Sequence, residues 1–214
     1  MSRLNPRTTL FLLCDIQTRF RNAIHGFDAV VASTNKLLRV AKTLDVKVVA
    51  TTQKAQALGP IDPAIDLNSL GPLLIGTYDK TLFSMAIPPV INHIKDNSIT
   101  NVVLFGIESH VCVLQTALDL LSHSDFGGST NVGFPGKVHV VADAVSSCNA
   151  FEVPIALRRL QAEGAVVTTS ESLAFQLVGD AAGEKFKAFS AIIKETKDAT
   201  KQTGELLLGG KDGL

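Results

Sequence analysis

Thr9-Leu-Phe-Leu-Leu-Cys-Asp15 is a continuous apolar run that ends in a carboxylate. A strand that is buried on both faces has this pattern, because neither of its sides meets water. Further runs of β-branched and apolar residues follow along the chain, at 46–51, 101–106, 138–142 and 165–168. We therefore interpret 9–15 as the first strand of a parallel sheet.

Helical patterns alternate with these strands. Apolar residues recur at helical spacing in the segments 28–44, 88–96, 111–122, 149–163, 172–178 and 184–194. Thr168-Thr-Ser-Glu171 also fits a capping box that begins the helix 172–178. Strands that alternate with helices predict an α/β fold, since right-handed crossovers place helices on both faces of a parallel sheet.

The composition is that of one globular domain. The chain has 214 residues, of which 46% are hydrophobic and 19% charged, so it can bury enough apolar surface to order a compact core. The segment 53–72, with three proline dipeptides, is expected to form a long structured loop near a site. The segment 124–136 is expected to form an exposed loop, and the chain end is expected to be frayed.

Charge and cysteine content limit the possible partners. Twenty basic residues balance twenty acidic ones, which argues against nucleic acid and membrane partners and leaves a small-molecule substrate. The three cysteines form neither a disulfide framework nor a C-x-x-C pair, which favours a reducing, cytoplasmic setting. A mitochondrial presequence carrying Arg3 and Arg7 stays open as an alternative. No cofactor is expected.

Three side chains are candidates for chemistry, because ligands of a parallel α/β sheet bind at the carboxyl ends of its strands. Asp15 ends the first strand, Cys112 follows the strand 101–106 by one turn, and Lys80 lies in the loop region beyond the second strand. A thiol in the first turn of a helix is favoured as thiolate, and an ammonium would stabilise it further. Asp15 could then move protons as general acid and base, and backbone N–H groups before Cys112 could form an oxyanion hole.

The motifs around these residues resemble those of a known superfamily. Gly106-Ile-Glu-Ser-His-Val-Cys-Val-Leu-Gln-Thr-Ala-Leu-Asp119 resembles the nucleophile motif of the isochorismatase-like cysteine hydrolases, which include nicotinamidases and carbamoylases. Asp15-Ile-Gln-Thr-Arg-Phe20 is similar to the first-strand motif and Lys80-Thr-Leu-Phe-Ser84 to the lysine motif. Val140–Ser147 and Leu157–Leu160 continue the match. The resemblance is closest to the isochorismatase domain-containing proteins and spans 8–194, which leaves 195–214 as a C-terminal tail.

This resemblance implies a fold and a site. The fold would be a Rossmann-like, three-layer sandwich with a six-stranded parallel sheet, in a chain that assembles as a homo-oligomer, a dimer or tetramer. The site would be an Asp15–Lys80–Cys112 triad, with oxyanion donors from the backbone N–H groups of Glu108 and Cys112. A cis peptide between Ile107 and Glu108 is also implied.

The sequence departs from the superfamily in two places. Metal-dependent nicotinamidases carry an Asp-x-His cluster after the second strand, whereas this chain reads Thr51-Thr-Gln-Lys-Ala-Gln56, so no metal site is expected. The segment 124–136 is read as an insertion relative to the superfamily.

For several residues near the predicted site, the sequence allows two roles. Phe20, Gln53, Tyr78 and Phe83 line a substrate pocket or serve only in packing. His110, beside the nucleophile, is expected to shape the turn at the edge of that pocket rather than to act in catalysis. Cys14 and Cys148 are read as structural cysteines.

The sequence therefore favours hydrolysis of a small amide, carbamoyl or related C–N substrate through an acyl-enzyme on Cys112. The alternative from another class is a binding or scaffold protein that keeps the fold without turnover. Hydrolysis of RNA is the least favoured reading, because no basic stretch with interleaved aromatic residues is visible.

Overall fold

A computed structural model of the protein describes residues 4–122 and 136–209. The predicted insertion 124–136 therefore lies outside the described residues except for Gly136. Within the described ranges the chain forms one parallel sheet of six strands in the order β3-β2-β1-β4-β5-β6. The strands are β1 Thr9–Cys14, β2 Lys47–Gln53, β3 Leu74–Lys80, β4 Asn101–Ile107, β5 Lys137–Ser146 and β6 Val166–Thr168.

Helices cover both faces of the sheet. They are α1 Phe27–Leu44, α2 Ala55–Leu58, α3 Pro88–Asp96, α4 Leu114–Leu121, α5 Glu152–Ala162, α6 Ser170–Val178, α7 Phe186–Glu195 and α8 Lys197–Leu208. Short 3-10 helices lie at Pro6–Thr8, Thr18–Phe20 and Asn68–Leu73, and a π-helical turn lies at Ser109–Val113. The predicted three-layer α/β sandwich is thereby confirmed.

The apolar run of β1 divides between two cores because successive strand side chains point to opposite faces. Phe11 and Leu13 belong to the apolar cluster that also contains residues of α1, α6 and α7. Leu10, Leu12 and Cys14 belong to the cluster that contains residues of α3, α4 and α5. Every residue of β1 and β4 is buried, as expected for central strands of a covered sheet.

The strand β3 was not recognised from the sequence, which placed Lys80 in a loop. β3 is an edge strand in which only Lys80 is buried, so it lacks the continuous apolar pattern that marks the inner strands. Lys80 is in fact its last residue and pairs in register with Gln53 at the end of β2. This register explains how a lysine so distant in sequence reaches the same edge of the sheet as Asp15.

The C-terminal region also differs from its prediction. The prediction of a frayed tail was wrong for Lys197–Leu208, which forms α8 and packs against α1 and β5. The buried Lys36 of α1 donates a hydrogen bond from Nζ to Thr200 Oγ1 at 2.9 Å.

The cap of α6 is displaced by one residue from the predicted position: Thr169, not Thr168, accepts from the backbone N–H of Ser172. Among the described helices, none is both long enough and apolar enough to cross a bilayer.

Gly106 is required where β4 passes β1. A Cβ atom at Gly106, where φ is +125°, would lie 2.1 Å from the carbonyl oxygen of Cys14. Gly164, where φ is +100°, offers a matched control, because a Cβ there would meet nothing within 4 Å. We expect Gly164→Ala to cost about 1 kcal/mol through backbone strain alone. Gly106→Ala should cost roughly 1–3 kcal/mol more, because the clash must displace a central strand.

Urea unfolding followed by circular dichroism measures both free energies of unfolding. Equal losses in the two variants would show that strand β4 can move away from Cys14 without cost.

Candidate active site

The three predicted catalytic residues meet at the carboxyl edge of the sheet. Asp15 directly follows β1, Lys80 ends β3, and Cys112 lies in the π-helical turn between β4 and α4. Asp15 has a φ of 51°, a left-handed conformation that aspartate tolerates better than most residues. Irregular backbone at such positions is common at functional sites, because it aims side chains that regular structure would direct elsewhere.

Asp15 and Lys80 form a buried ion pair. Lys80 Nζ lies 2.7 Å from Asp15 Oδ2, and the two side chains are only 1% and 2% exposed. Nζ also lies 2.9 Å from Gln53 Oε1, 2.9 Å from the carbonyl oxygen of Phe83 and 3.2 Å from that of Leu82. The ammonium is thus surrounded by oxygen acceptors, which offset its loss of water.

The other carboxylate oxygen of Asp15 is held as well. Thr51 Oγ1 donates to Asp15 Oδ1 at 2.8 Å, and the backbone N–H of Asp15 donates to the carbonyl oxygen of Thr51 at 3.2 Å. Both contacts cross from β2 to the end of β1. Asp15 therefore has a fixed orientation, with Oδ2 shared between Lys80 Nζ and Cys14 Sγ.

Two cysteine sulfurs complete the cluster. The Sγ atoms of Cys14 and Cys112 and a carboxylate oxygen of Asp15 all lie within 4.8 Å of one another. Cys14 Sγ donates to Asp15 Oδ2 at 3.6 Å. Burial, the hydrogen bond with Cys112 and the negative charge of Asp15 raise the pKa of the Cys14 thiol well above its usual range. Cys14 therefore stays protonated, whereas Cys112, on the irregular turn, has a small exposed surface of 7%.

The turn before Cys112 contains the cis peptide between Ile107 and Glu108, which confirms that prediction. The carbonyl oxygen of Glu108 accepts from the backbone N–H groups of Val111 and Val113, both at 3.1 Å. These bonds close the π-helical turn around Cys112. The predicted oxyanion donors, the backbone N–H groups of Glu108 and Cys112, belong to this same turn.

His110 hydrogen-bonds a serine, and no hydrogen bond joins it to Cys112 among the described residues. Its Nδ1 lies 2.9 Å from Ser147 Oγ, which also hydrogen-bonds Ser109 Oγ, and 3.6 Å from Glu108 Oε2. These contacts tie the turn to the end of β5 and agree with the predicted shaping of the turn.

Cys148 lies outside the buried cluster. Its Sγ donates to Glu108 Oε1 at 3.2 Å. Burial, together with the hydrogen bond and the charge of Glu108, raises the pKa of Cys148 to about 11. The Cys148 sulfur is consequently a neutral thiol near neutral pH.

The predicted pocket residues have different surroundings. Gln53 is buried and contacts Lys80 directly. Phe83 is 49% exposed and contributes its carbonyl oxygen to Lys80, which leaves its ring available at the surface. Phe20 is half-buried and packs against the α1 side of the core. Tyr78 is half-buried and packs against the core on the side of α3, α4 and α5.

Sequence reasoning missed the residues that support the triad. Gln17 accepts from the backbone N–H of Gln53 at 2.7 Å, and its Nε2 donates to the carbonyl oxygens of Gln53 at 3.2 Å and Gly59 at 2.7 Å. Gln17 belongs to the motif Asp15–Phe20, Cys14 directly precedes that motif, and Thr51 lies two residues before the end of β2. Their closeness to the motifs was the available signal, although nothing in the sequence indicated their partners.

The cluster has little capacity for a cation. Cys14, Asp15 and Cys112 are the group of potential metal ligands found among the described residues. The Lys80 ammonium already lies against Asp15 Oδ2 and would repel a metal ion placed there.

Comparison with known proteins identifies the family of this chain. The isochorismatase domain matches residues 9–172. The chain belongs to the isochorismatase family. It is 40% identical over 197 residues to the secreted isochorismatase effector Isc1 of Phytophthora sojae, with 91% of this chain and 89% of that protein covered. It is 38% identical over 196 residues to isochorismatase domain-containing protein 2 of Bos taurus, with 91% and 87% covered.

A solved structure shares this fold. The MAR1 ribonuclease from Caenorhabditis elegans superposes with a TM-score of 0.77 at 34% identity, and the match covers 90% of this chain and 93% of that one. The predicted membership of the isochorismatase family is therefore confirmed, and with it the hydrolase fold.

Gln53 offers a test of how this isochorismatase-family site holds its lysine. Its Nε2 donates to the carbonyl oxygen of Thr81 at 2.8 Å, so Oε1 must face Lys80. Gln53→Glu would place a second carboxylate against the ammonium, and the added negative charge should disfavour a thiolate nearby. We expect the rate at which iodoacetamide alkylates Cys112 at pH 7 to fall several-fold.

Gln56→Glu is the matched control, because it adds the same charge three residues later, at an exposed position of α2. Peptide mass spectrometry over time gives the alkylation rate of Cys112 in each variant. Similar rates in Gln53→Glu and Gln56→Glu would mean that Lys80 does not influence the thiol through this contact.

Proposed function

We propose that the protein hydrolyses a small amide, carbamoyl or related C–N substrate through a covalent acyl-enzyme on Cys112. The observation that supports this most strongly is the convergence of Cys112, Asp15 and Lys80. A sulfur, a carboxylate and an ammonium from three separate strand ends lie in one buried cluster. Activated nucleophiles of acyl transfer have this composition, with a proton acceptor beside the sulfur.

In the first half of the reaction Asp15 accepts the proton of the Cys112 thiol. The Cys112 sulfur attacks the carbonyl carbon, and the backbone N–H groups of Glu108 and Cys112 donate to the oxygen that becomes negative. Asp15 then returns the proton to the leaving amine, the C–N bond breaks, and a thioester remains on Cys112.

In the second half the same groups act on water. Asp15 takes a proton from a water molecule as its oxygen attacks the thioester carbon. The C–S bond then breaks, Asp15 returns that proton to the Cys112 sulfur, and the acid product leaves. Lys80 stays paired with Asp15 or with the sulfur throughout, so it lowers the energy of whichever is negative.

A binding or scaffold role without turnover is the alternative. Against it stands the cost of the site: burying a charged lysine and aspartate is expensive, and apolar residues of similar volume would stabilise the same fold at least as well. A polar cluster of this kind, at the edge where α/β proteins bind ligands, is better explained by chemistry.

A panel of primary amides and N-carbamoyl compounds tests the proposal through ammonia release. Cys112→Ala should reduce the turnover of any accepted substrate by at least about 10³-fold, because the covalent path is lost. Cys148→Ala is the control, since its thiol lies outside the buried cluster, and it should retain turnover. Activity that survives in Cys112→Ala would exclude the acyl-enzyme, and a complete absence of turnover across the panel would favour a binding protein.

Hydrolysis of RNA is a second candidate, because the Caenorhabditis elegans relative at 34% identity is described as a ribonuclease. The geometry favours it less. The triad side chains are almost wholly buried, and basic and acidic residues are equal in number, so no general field attracts a polyanion.

We expect no cleavage of a mixed-sequence RNA by the purified protein above that of Asp15→Ala. A denaturing gel of labelled RNA, run at low and at high salt, provides the measurement. Salt-sensitive cleavage by the native protein that disappears in Asp15→Ala would support the ribonuclease reading instead.

A further inference from the structure

The proposed reaction needs only one sulfur, yet a second buried sulfur lies beside it. Cys14 is fully buried at the end of β1, and its Sγ is within 4.8 Å of Cys112 Sγ. The strands hold this arrangement firmly, because Cys14 pairs in register with Gly106, and the turn that carries Cys112 begins directly after that strand. A structural role would not require Cys14 to face the nucleophile.

We propose that Cys14 and Cys112 form an oxidative modification site, in which a small peroxide oxidises Cys112 and Cys14 then closes an intramolecular disulfide with it. The site would take hydrogen peroxide or a small organic hydroperoxide. The proposal rests on the reactivity assigned to Cys112 under the proposed function, but it does not require substrate turnover.

The modification proceeds in two steps. Asp15 takes the proton of the Cys112 thiol, the thiolate attacks one peroxide oxygen, and the O–O bond breaks. The proton held by Asp15 goes to the departing oxygen, which leaves as water or an alcohol, while Cys112 becomes a sulfenic acid and the peroxide is reduced. The Cys14 sulfur then attacks the Cys112 sulfur and the S–O bond breaks. Asp15, 3.6 Å from Cys14 Sγ, accepts the Cys14 proton and passes it to the departing hydroxide, which leaves as water. An external dithiol reverses the change by thiol–disulfide exchange.

Burial decides which sulfur reacts first. Cys14 has no exposed surface, whereas Cys112 has 7% and can be reached by a molecule as small as a peroxide. Cys148 is exposed, but its raised pKa of about 11 keeps it as a thiol, and thiols are oxidised far more slowly than thiolates. Oxidation therefore starts at Cys112, and the oxidised Cys112 sulfur then reacts with the adjacent thiol of Cys14.

Closing the bond requires a modest movement. The two Sγ atoms, which lie within 4.8 Å of each other, must approach to about 2.05 Å. Cys14 is held in a central strand, so the movement falls on Cys112, whose π-helical turn is less regular than an α-helix. The disulfide would remove the nucleophile reversibly and would stop its oxidation to the irreversible sulfinic acid.

The test treats the full-length protein with a small excess of hydrogen peroxide, followed by N-ethylmaleimide under denaturing conditions. The native protein has three cysteines, and we expect one to remain alkylatable after oxidation. Non-reducing digestion should yield the Cys14 peptide joined to the Cys112 peptide, and dithiothreitol should restore all thiols. In Cys148→Ala the same joined peptide should form, since Cys148 is not involved.

In Cys14→Ala the Cys112 sulfur should instead proceed to sulfinic acid, which dithiothreitol cannot reduce. Cys14→Ser serves as a second variant if the alanine variant is unstable, with circular dichroism as the check of folding. Irreversible oxidation of Cys112 in the native protein while Cys14 stays free would overturn the proposal, as would a disulfide that involves Cys148 or a second chain.

The outcome separates this proposal from the proposed function. A Cys14–Cys112 disulfide in a protein that hydrolyses nothing on the substrate panel would support the modification site and count against the hydrolase. Turnover that depends on Cys112, together with irreversible peroxide inactivation of the native protein, would do the reverse.

Discussion

The buried ion pair between Lys80 and Asp15 is the constraint on which the site depends. Removing one member would leave an uncompensated charge in the interior, which typically costs about 3–5 kcal/mol. The pair is stable because its other hydrogen-bonding positions are occupied: Thr51 donates to Asp15, and Gln53 with two backbone carbonyl groups surrounds Lys80. The ends of β1, β2 and β3 are therefore held together by the same interactions that orient the reactive groups.

The inner strands of the sheet could be predicted because a strand buried on both faces is apolar at nearly every position. The run Thr9–Cys14 is apolar at nearly every position, since β1 is covered on both faces, and β4 follows the same rule. The edge strand β3 carries Gly76 and Asp79 and is half-exposed, so nothing in its pattern distinguishes it from a loop. The C-terminal helix α8 was missed for a related reason: only Thr203 of its residues is buried, so its docking depends on contacts such as the one from Lys36.

In the site, too, some residues could be predicted from the sequence and others could not. Asp15, Lys80 and Cys112 could be selected because short motifs surround them and because strand ends meet at one edge in a parallel sheet. Gln17 could not be connected with Lys80 from the sequence, because its side-chain amide contacts the backbone of Gln53 and not Lys80 itself. This contact forms only when the loop after β1 folds beside the end of β2. Cys14 was read as a structural cysteine because alternation along a strand says which face a side chain takes but not which residue it meets there.

In the proposed reaction, the charges of the cluster let one arrangement serve both halves of acyl transfer. With Asp15 ionised and Cys112 a thiol, the Lys80 ammonium is balanced by the carboxylate at 2.7 Å. When the proton moves to Asp15, the sulfur becomes the negative partner, and the total charge of the buried cluster is unchanged. Because no net charge enters or leaves the low-dielectric interior, the shift avoids the large desolvation cost of creating an isolated thiolate. In that reaction Lys80 is the fixed positive charge that stays in place while the proton moves between the Cys112 sulfur and Asp15.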